Sequence, residues 1–308
     1  MKFLTKPVNV WLTAELCCVL WGSAFPAIKT GYRLLQITAA DVPSILLFAG
    51  VRFTLAGVLT VVLFSLIEKK PLLPHRGAVG KIGVLAVFQT ILQYIFFYLG
   101  LAYTTGERGS VINATSVFFA LLISSLLFRL EKLKWHKILG CAVGFMGVVL
   151  VSLDAFHRTG GTLLGEGMVL LSSISYAFSS VFMKRYAAKE NPAMLSGWQF
   201  MLGGLVLTAA GLLFGGRLTQ LSLRVVLLIL YLALLSAVAY SLWSLLLKYN
   251  DVSRVAVCGF MIPVFGFILS ALFSGGDSGF GLPAVAALLL VTVGTVTVNL
   301  PERKNGDH

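Results

Sequence analysis

Charge is what this sequence has least of. Only 12% of its 308 residues are Asp, Glu, Lys or Arg, against about a quarter in a soluble domain. In contrast, 58% are hydrophobic and the mean hydropathy is +0.92. That composition excludes an ordinary soluble globular protein and predicts an all-α polytopic membrane protein. Acidic residues are the scarcer sign, 12 against 24 basic, which leaves a net charge of +12. In a soluble chain such an excess would suggest nucleic acid. Here the basic residues gather in alternate loops between apolar runs, so the expected partners are membrane lipids and not nucleic acid.

Catalytic groups are also missing as patterns. The cysteines Cys17, Cys18, Cys141 and Cys258 all fall inside apolar runs, and none makes a Cys-x-x-Cys spacing. This argues against metal or redox chemistry and reads as small buried side chains. The histidines His75, His136, His157 and His308 are scattered. No His-Glu-x-x-His, Gly-x-Ser-x-Gly or Gly-x-x-x-x-Gly-Lys occurs, so no catalytic residue, metal or cofactor is expected. Without a nucleotide site, any transport energy must come from gradients.

Apolar runs of membrane length cover roughly residues 10–32, 44–67, 79–102, 109–128, 135–153, 163–187, 194–214, 224–247, 253–274 and 279–300. Ten helices of ~20 residues fill roughly two thirds of the chain and leave no room for a soluble domain. The first run contains Pro26 and Lys29 and is too long for a signal-peptide core, so it reads as a retained helix. Asp41 before Pro43 and Glu190 before Pro192 both resemble helix starts, with the acid facing the positive helix end.

The two halves repeat. A shift of 146 places Tyr103-Thr-Thr-Gly-Glu-Arg108 on Tyr249-Asn-Asp-Val-Ser-Arg254 and Glu131 on Asp277. A shift of 147 places Gly50-Val-Arg-Phe53 on Gly197-Trp-Gln-Phe200. Five helices per half is an odd number, so the halves are expected to be inserted in opposite senses. The predicted architecture is ten transmembrane helices as two inverted five-helix repeats, 1–153 and 166–308, with 154–165 as linker. Secondary transporters are built this way, with the solute site at the repeat interface.

The order of several segments resembles the drug/metabolite transporter superfamily, specifically its EamA-type ten-helix members. They are Trp21-Gly-Ser-Ala-Phe-Pro-Ala-Ile-Lys29, Leu101 to Arg108, the Glu131 loop leading to Gly140-x-x-x-Gly144-x-x-Gly147, Ser175-Tyr-Ala-Phe to Lys184, Tyr249 to Arg254, and Pro263. The resemblance implies a solute exporter of the cell membrane working by alternating access, often on amino acids or related metabolites, with peripheral fifth and tenth helices. Two departures, Val117 opposite Pro263 and Asp277 opposite Glu131, mean that the site need not be symmetric. A broad-specificity drug exporter is the rival reading. A non-transporting membrane enzyme or assembly factor would need clustered nucleophiles or metal ligands.

Candidate site residues are those that cost most in lipid. Arg52, a third of the way along its span, either anchors a solute anion or bonds backbone carbonyls of neighbouring helices. Glu15 is the candidate for proton coupling, or else a hydrated carboxylate near a helix start. Lys29 and Lys184 close their helices as snorkels or gates. Arg108 and Arg254 read as loop clamps. Trp21, Gln93, Asn113, Tyr176, Gln199, Tyr240 and Trp243 are candidates to line a mixed cavity or to pack helices. Pro26 and Pro263 free carbonyls or simply kink. Gly140-x-x-x-Gly144 leaves helix packing and homodimer formation open.

The basic residues fall 17 to six between alternate loops, Arg52 aside. By the positive-inside rule both termini are cytoplasmic, and a prokaryotic inner membrane is the expected location. Reporter fusions after Arg76 and after Arg158 should therefore report inside and outside. The same side for both would rule out the ten-span topology.

Overall fold

The computed structural model describes residues 2–38, 40–104, 106–151, 162–274 and 282–300, and it contains helices and no strand among those residues. Most of the expected linker, with Arg158, and Asp277 lie outside the described residues, as does the Arg108 side chain.

The helices begin where the sequence supplies an end signal. α1 (Pro7–Leu35) has Pro in its first turn and closes on Gln36 in the left-handed region, φ 54°. α2 (Val42–Ile67) is capped by Asp41, whose carboxylate accepts from the Ser44 N–H at 3.2 Å. α3 (Arg76–Leu85) and α4 (Gln93–Tyr103) are joined through a π-helical stretch, Ala86–Leu92. α5 (Gly106–Ala114) and α6 (Ser116–Leu122) break at Thr115, whose hydroxyl bonds the Ile112 carbonyl, and a second π stretch, Ile123–Leu127, follows. Then come α7 (Trp135–Val151), α8 (Leu163–Ala187), α9 (Pro192–Leu213) and α10 (Leu223–Tyr249). α11 (Val252–Ala256) passes through a 3₁₀ turn, Val257–Phe260, into α12 (Met261–Ser274), and α13 (Leu282–Val298) ends the described chain.

Several expectations change. Among the described residues, six helices are long and apolar enough to cross a membrane: Pro7–Leu35, Val42–Ile67, Arg76–Leu101, Leu163–Ala187, Pro192–Leu213 and Leu223–Tyr249. The other four expected spans appear as shorter apolar helices of 10–17 residues, two of them interrupted at Thr115 and at the 3₁₀ turn. Glu190 does not face a helix end. Asn191 caps α9 instead, accepting from the N–H groups of Ala193 and Met194 at 2.9 and 3.2 Å, and Glu190 is free to pair elsewhere. α1 runs on for six residues beyond Lys29, so Lys29 does not close it and stands exposed. Pro26 does not end α1 either.

Packing is set by glycines. α2 and α9 cross so closely that a Cβ on Gly57 would lie 2.5 Å from the Gly197 carbonyl oxygen, and one on Gly211 would lie 2.6 Å from Leu47 N. These contacts come in exchanged pairs. Gly57 meets the Gly197 carbonyl and Gly204 meets the Gly50 carbonyl; Gly50 meets Thr208 and Gly197 meets Val61. Adding 147 to one member and subtracting it from the other turns each contact into its counterpart. α7 and α13 do the same: Gly140 meets Gly294, and Gly147 meets Ala287. The Gly140 face is thus taken up within the protomer by α13.

Gly294→Val is expected to lower the melting temperature of detergent-purified protein, because its Cβ would sit 2.5 Å from the Gly140 carbonyl. Overpacking of this kind costs about 1–3 kcal/mol. Gly80 has open space around its Cβ position, so Gly80→Ala should be neutral or stabilising by up to about 1 kcal/mol. Equal melting temperatures for the two variants would show that the α7–α13 crossing is looser than described.

Candidate functional site

Five helices bring an aromatic ring system together midway along their length. Tyr240 and Trp243 share one face of α10 by their three-residue spacing. The Trp21 ring of α1 meets both edge-on, at centroid distances of 4.9 and 5.0 Å. Tyr240 meets Phe200 of α9 at 4.7 Å. Phe200 stacks on Phe53 of α2 at 5.3 Å, and Phe53 lies 4.4 Å from Tyr94 of α4. The Tyr94 and Tyr240 hydroxyls, 3.1 Å apart, close the ring. Phe53 and Phe200 are equivalent positions of the two halves, so the glycine-mediated crossing of α2 and α9 is what stacks them.

Arg52 adjoins this ring and is only 3% exposed. Its guanidinium donates through Nη2 to the Ser236 hydroxyl at 2.9 Å and lies 4.8 Å from the Phe53 ring centroid. Its Nε has no hydrogen-bond partner among the described residues. Tyr94 also meets Tyr98 at 5.9 Å, and Tyr32 meets Phe48 at 5.5 Å. Buried polar atoms without a hydrogen-bond partner among the described residues also occur on the same helices: Trp21 Nε1 on α1, Thr54 Oγ1 on α2, Gln89 Oε1 on the first π stretch, Gln93 Oε1 on α4 and Gln199 Nε2 on α9. More than nine in ten buried polar groups are ordinarily bonded, so each is unused hydrogen-bonding capacity.

The candidates do not all converge. Trp21, Arg52, Tyr240 and Trp243 do, whereas Tyr176 is half-buried on α8, its carbonyl accepting from the Ser179 and Ser180 hydroxyls. Gln199, fully buried, spends its Oε1 on the Thr90 hydroxyl at 2.7 Å, between α9 and the first π stretch. Asn113 stands at the α5–α8 interface, where Ser173 donates to it at 3.5 Å, and no contact among the described residues ties it to the ring. Pro26 and Pro263 are half-buried on α1 and α12. The Pro26 carbonyl accepts from the Thr30 hydroxyl. Glu15 lies six residues before Trp21, about 9 Å along α1, and its Oε2 is buried without a partner among the described residues. Sequence reading missed Tyr32, Tyr94, Tyr98 and Ser236. Phe53 and Phe200 were visible as the repeated Gly-x-x-Phe.

A second polar centre lies at the end of the bundle where the basic residues gather. Glu131 accepts from Lys137 at 2.5 Å, from Ser124 at 2.5 Å, from the Ser253 N–H at 3.0 Å and from the Ser253 hydroxyl. Lys137 also reaches Asp251 at 3.4 Å. Lys184 donates to the Asn250 carbonyl at 2.6 Å, and Asn250 donates to the Leu4 carbonyl. Lys184 is therefore a tie between helix ends and not a free snorkel. Glu190 pairs with Lys81 at 2.5 Å and His75 at 3.0 Å, and these hydrogen bonds hold its carboxyl below the usual carboxylate range. Asn191 donates to Glu68 at 2.6 Å. Arg254 bonds Asn299, as a clamp between α11 and the end of α13. Residues 4 and 299 thus share one end of the bundle, where Glu131–Ser253, Lys137–Asp251, Leu4–Asn250, Lys81–Glu190, His75–Glu190 and Glu68–Asn191 join the first half to the second.

The EamA-like transporter family model matches residues 10–153 and 163–300. An "uncharacterized transporter" of Archaeoglobus fulgidus is 27% identical over 262 residues, 82% of this chain and 86% of that protein. A "probable amino-acid metabolite efflux pump" of Salmonella typhimurium is 25% identical over 289 residues, 90% of this chain and 91% of its own. A solved crystal structure superposes with a TM-score of 0.75 at 16% identity, covering 93% of this chain and 94% of its own, which shows the fold.

Glu131 is 2% and Lys137 7% exposed at the side chain. Truncating one member of a buried pair costs about 3–5 kcal/mol, and Asp251 relieves part of it by remaining near Lys137. Glu131→Ala is expected to lower the melting temperature markedly and Ser124→Ala only slightly. Indistinguishable melting curves for Glu131→Ala and the native protein would remove Glu131 as the organiser of this end.

Proposed function

This chain belongs to the EamA-like transporter family of the drug/metabolite transporter superfamily, and we propose on that basis that it exports small metabolites or amino acids by alternating access. Membership makes it a multi-pass membrane transporter and not an enzyme. The finer reading is of ten spans in two inverted five-helix repeats, 1–153 and 166–308, in a prokaryotic inner membrane with both termini cytoplasmic. The exchanged contact pairs of α2 with α9 and of α7 with α13 support the repeat. The common end occupied by residues 4 and 299 supports termini on one side.

The observation that carries the proposal is the ring Trp21–Tyr240–Phe200–Phe53–Tyr94 beside Arg52, built from both halves. A solute held there lies between two bodies that can rock about the α2–α9 crossing. The ties of Glu131 and Glu190 then act as the cytoplasmic gate. They must part for the solute to enter from inside and re-form for release outside. The buried guanidinium of Arg52, with one side-chain hydrogen bond and an unbonded Nε, favours a solute with polar groups over the wholly apolar cargo of a broad-specificity drug exporter. The relative from Salmonella, named for amino-acid metabolite efflux, agrees with that choice.

Energy comes from a gradient, and Glu15 is the carboxylate placed to couple it. Its partnerless oxygen lies toward the basic end from Trp21. Reconstituted protein should catalyse counterflow of labelled amino acids and metabolites, and Glu15→Gln should flatten the pH dependence of net flux while leaving exchange largely intact. No flux for any solute would refute the transporter reading for this site. An unchanged pH profile would remove Glu15 from coupling.

A further inference from the structure

Two lysine or arginine side chains among the described residues are buried below a tenth of their surface, and they are compensated differently. Lys137 has Glu131 at 2.5 Å and Asp251 at 3.4 Å. Arg52 has no carboxylate among the described residues. Of its five N–H donors, one is spent on the Ser236 hydroxyl, and Nε is unbonded. Ser236 itself donates to the Leu232 carbonyl, so it accepts from Arg52 and has no second proton to offer. A guanidinium that served only to anchor helices would spend its donors on backbone carbonyls, and Arg52 bonds none among the described residues.

The repeat supplies a control within the same molecule. Gln199 occupies the position equivalent to Arg52, on the partner helix of the same crossing, and makes one side-chain bond, to Thr90. A neutral amide therefore suffices for packing at this position. The positive charge on α2 is not required by the crossing.

What surrounds the guanidinium is rich in hydroxyls. Ser236 bonds it, and Phe53 beside it lies 4.4 Å from Tyr94, whose hydroxyl meets that of Tyr240 at 3.1 Å. An uncompensated fork of N–H donors matches a carboxylate, the planar anion that arginine takes bidentately. Next along α2 is Phe53, stacked on Phe200 and close to Tyr94, so the guanidinium stands beside an aromatic wall.

We propose that Arg52 receives the carboxylate of the transported solute, and that Phe53, Phe200, Tyr94 and Tyr240 receive its apolar body. The substrate class is amphipathic monocarboxylates, amino acids with apolar side chains included. The inference rests on the transporter reading of this same site and assigns the polarity of its cargo.

The test uses full-length detergent-purified protein and matched probes that differ only in charge: phenylacetate with phenylacetamide, hexanoate with hexanamide, and inorganic phosphate as a bare anion. Binding is measured by calorimetry and melting temperature on the same samples. At least one carboxylate should bind roughly 10- to 150-fold more tightly than its amide, the span expected for one charge-assisted hydrogen bond. Arg52→Gln should abolish that gap, and Arg52→Lys should keep part of it, since a point charge lacks the fork. Equal binding of acid and amide, a gap that survives Arg52→Gln, no binding of either carboxylate, or phosphate binding as tightly as phenylacetate would each overturn the proposal. If Arg52→Gln does not fold, the acid–amide gap in the native protein and in Arg52→Lys decides. Counterflow separates the two readings. Flux of uncharged or cationic solutes with no carboxylate preference sinks this inference and spares transport. Carboxylate binding without any flux does the reverse.

Discussion

The crossing of α2 and α9 is the constraint from which the rest of the interior follows. Apolar side chains gain little by leaving lipid for protein, so helices in a membrane associate through close backbone approach and polar contacts. Gly50, Gly57, Gly197, Gly204 and Gly211 supply that approach, each leaving room that a Cβ would fill with the other helix's backbone or side chains. Once the two backbones touch, Phe53 and Phe200 have no free direction except onto each other, and they stack. Arg52 and Gln199, one residue earlier, then diverge to different neighbours, Ser236 on α10 and Thr90 on the π stretch. A symmetric crossing thus produces an asymmetric lining, because the residues beside the shared phenylalanines differ in charge.

The distribution of charge follows the same economy. At the basic end, Glu190 of the second half pairs with Lys81 and His75 of the first, and Glu131 of the first half accepts from Ser253 of the second while its ion pair with Lys137 stays within its own half. Lys81 and His75 are partly open to water, so the Glu190 tie can part at a modest cost, because water replaces what the partner gave. The interior holds a cation with one neutral hydroxyl and one aromatic face. A structure optimised for stability alone would place an apolar residue there. Latch and site therefore use opposite arrangements of the same side-chain types.

Much of the fold was legible in the sequence, because helix length, apolar content and end signals are local. Asp41 and Pro192 mark starts that the structure keeps. The equivalence of Gly50–Phe53 with Gly197–Phe200 pointed at the two helices that cross. Less was legible where the answer depends on a third dimension. Asn191 displaced Glu190 as the cap because Lys81 and His75, more than a hundred residues away, compete for the carboxylate. The Gly140 face could not reveal from its own sequence that α13 covers it. Tyr32, Tyr94 and Ser236 carried no distinguishing pattern at all. Asn113 looked like a lining residue by its polarity and turned out to face Ser173.

The π stretch at Ala86–Leu92 was invisible to a 3.6-residue periodicity and has a consequence for the site. Widening a helical turn takes carbonyls out of the regular ladder, and in an apolar surrounding they must be satisfied by another group. The Phe88 carbonyl is bonded by the Ser175 hydroxyl of α8 at 2.7 Å. The same stretch turns Thr90 toward Gln199 and precedes Tyr94, which stands at the ring. An α-helix could pack here without help from α8. A π-helix needs it, so the conformation of the third helix is coupled to the position of the first helix of the second half. The irregular turn therefore ties the lining of the site to the relative placement of the two halves, which is the coordinate along which an alternating-access transporter must move.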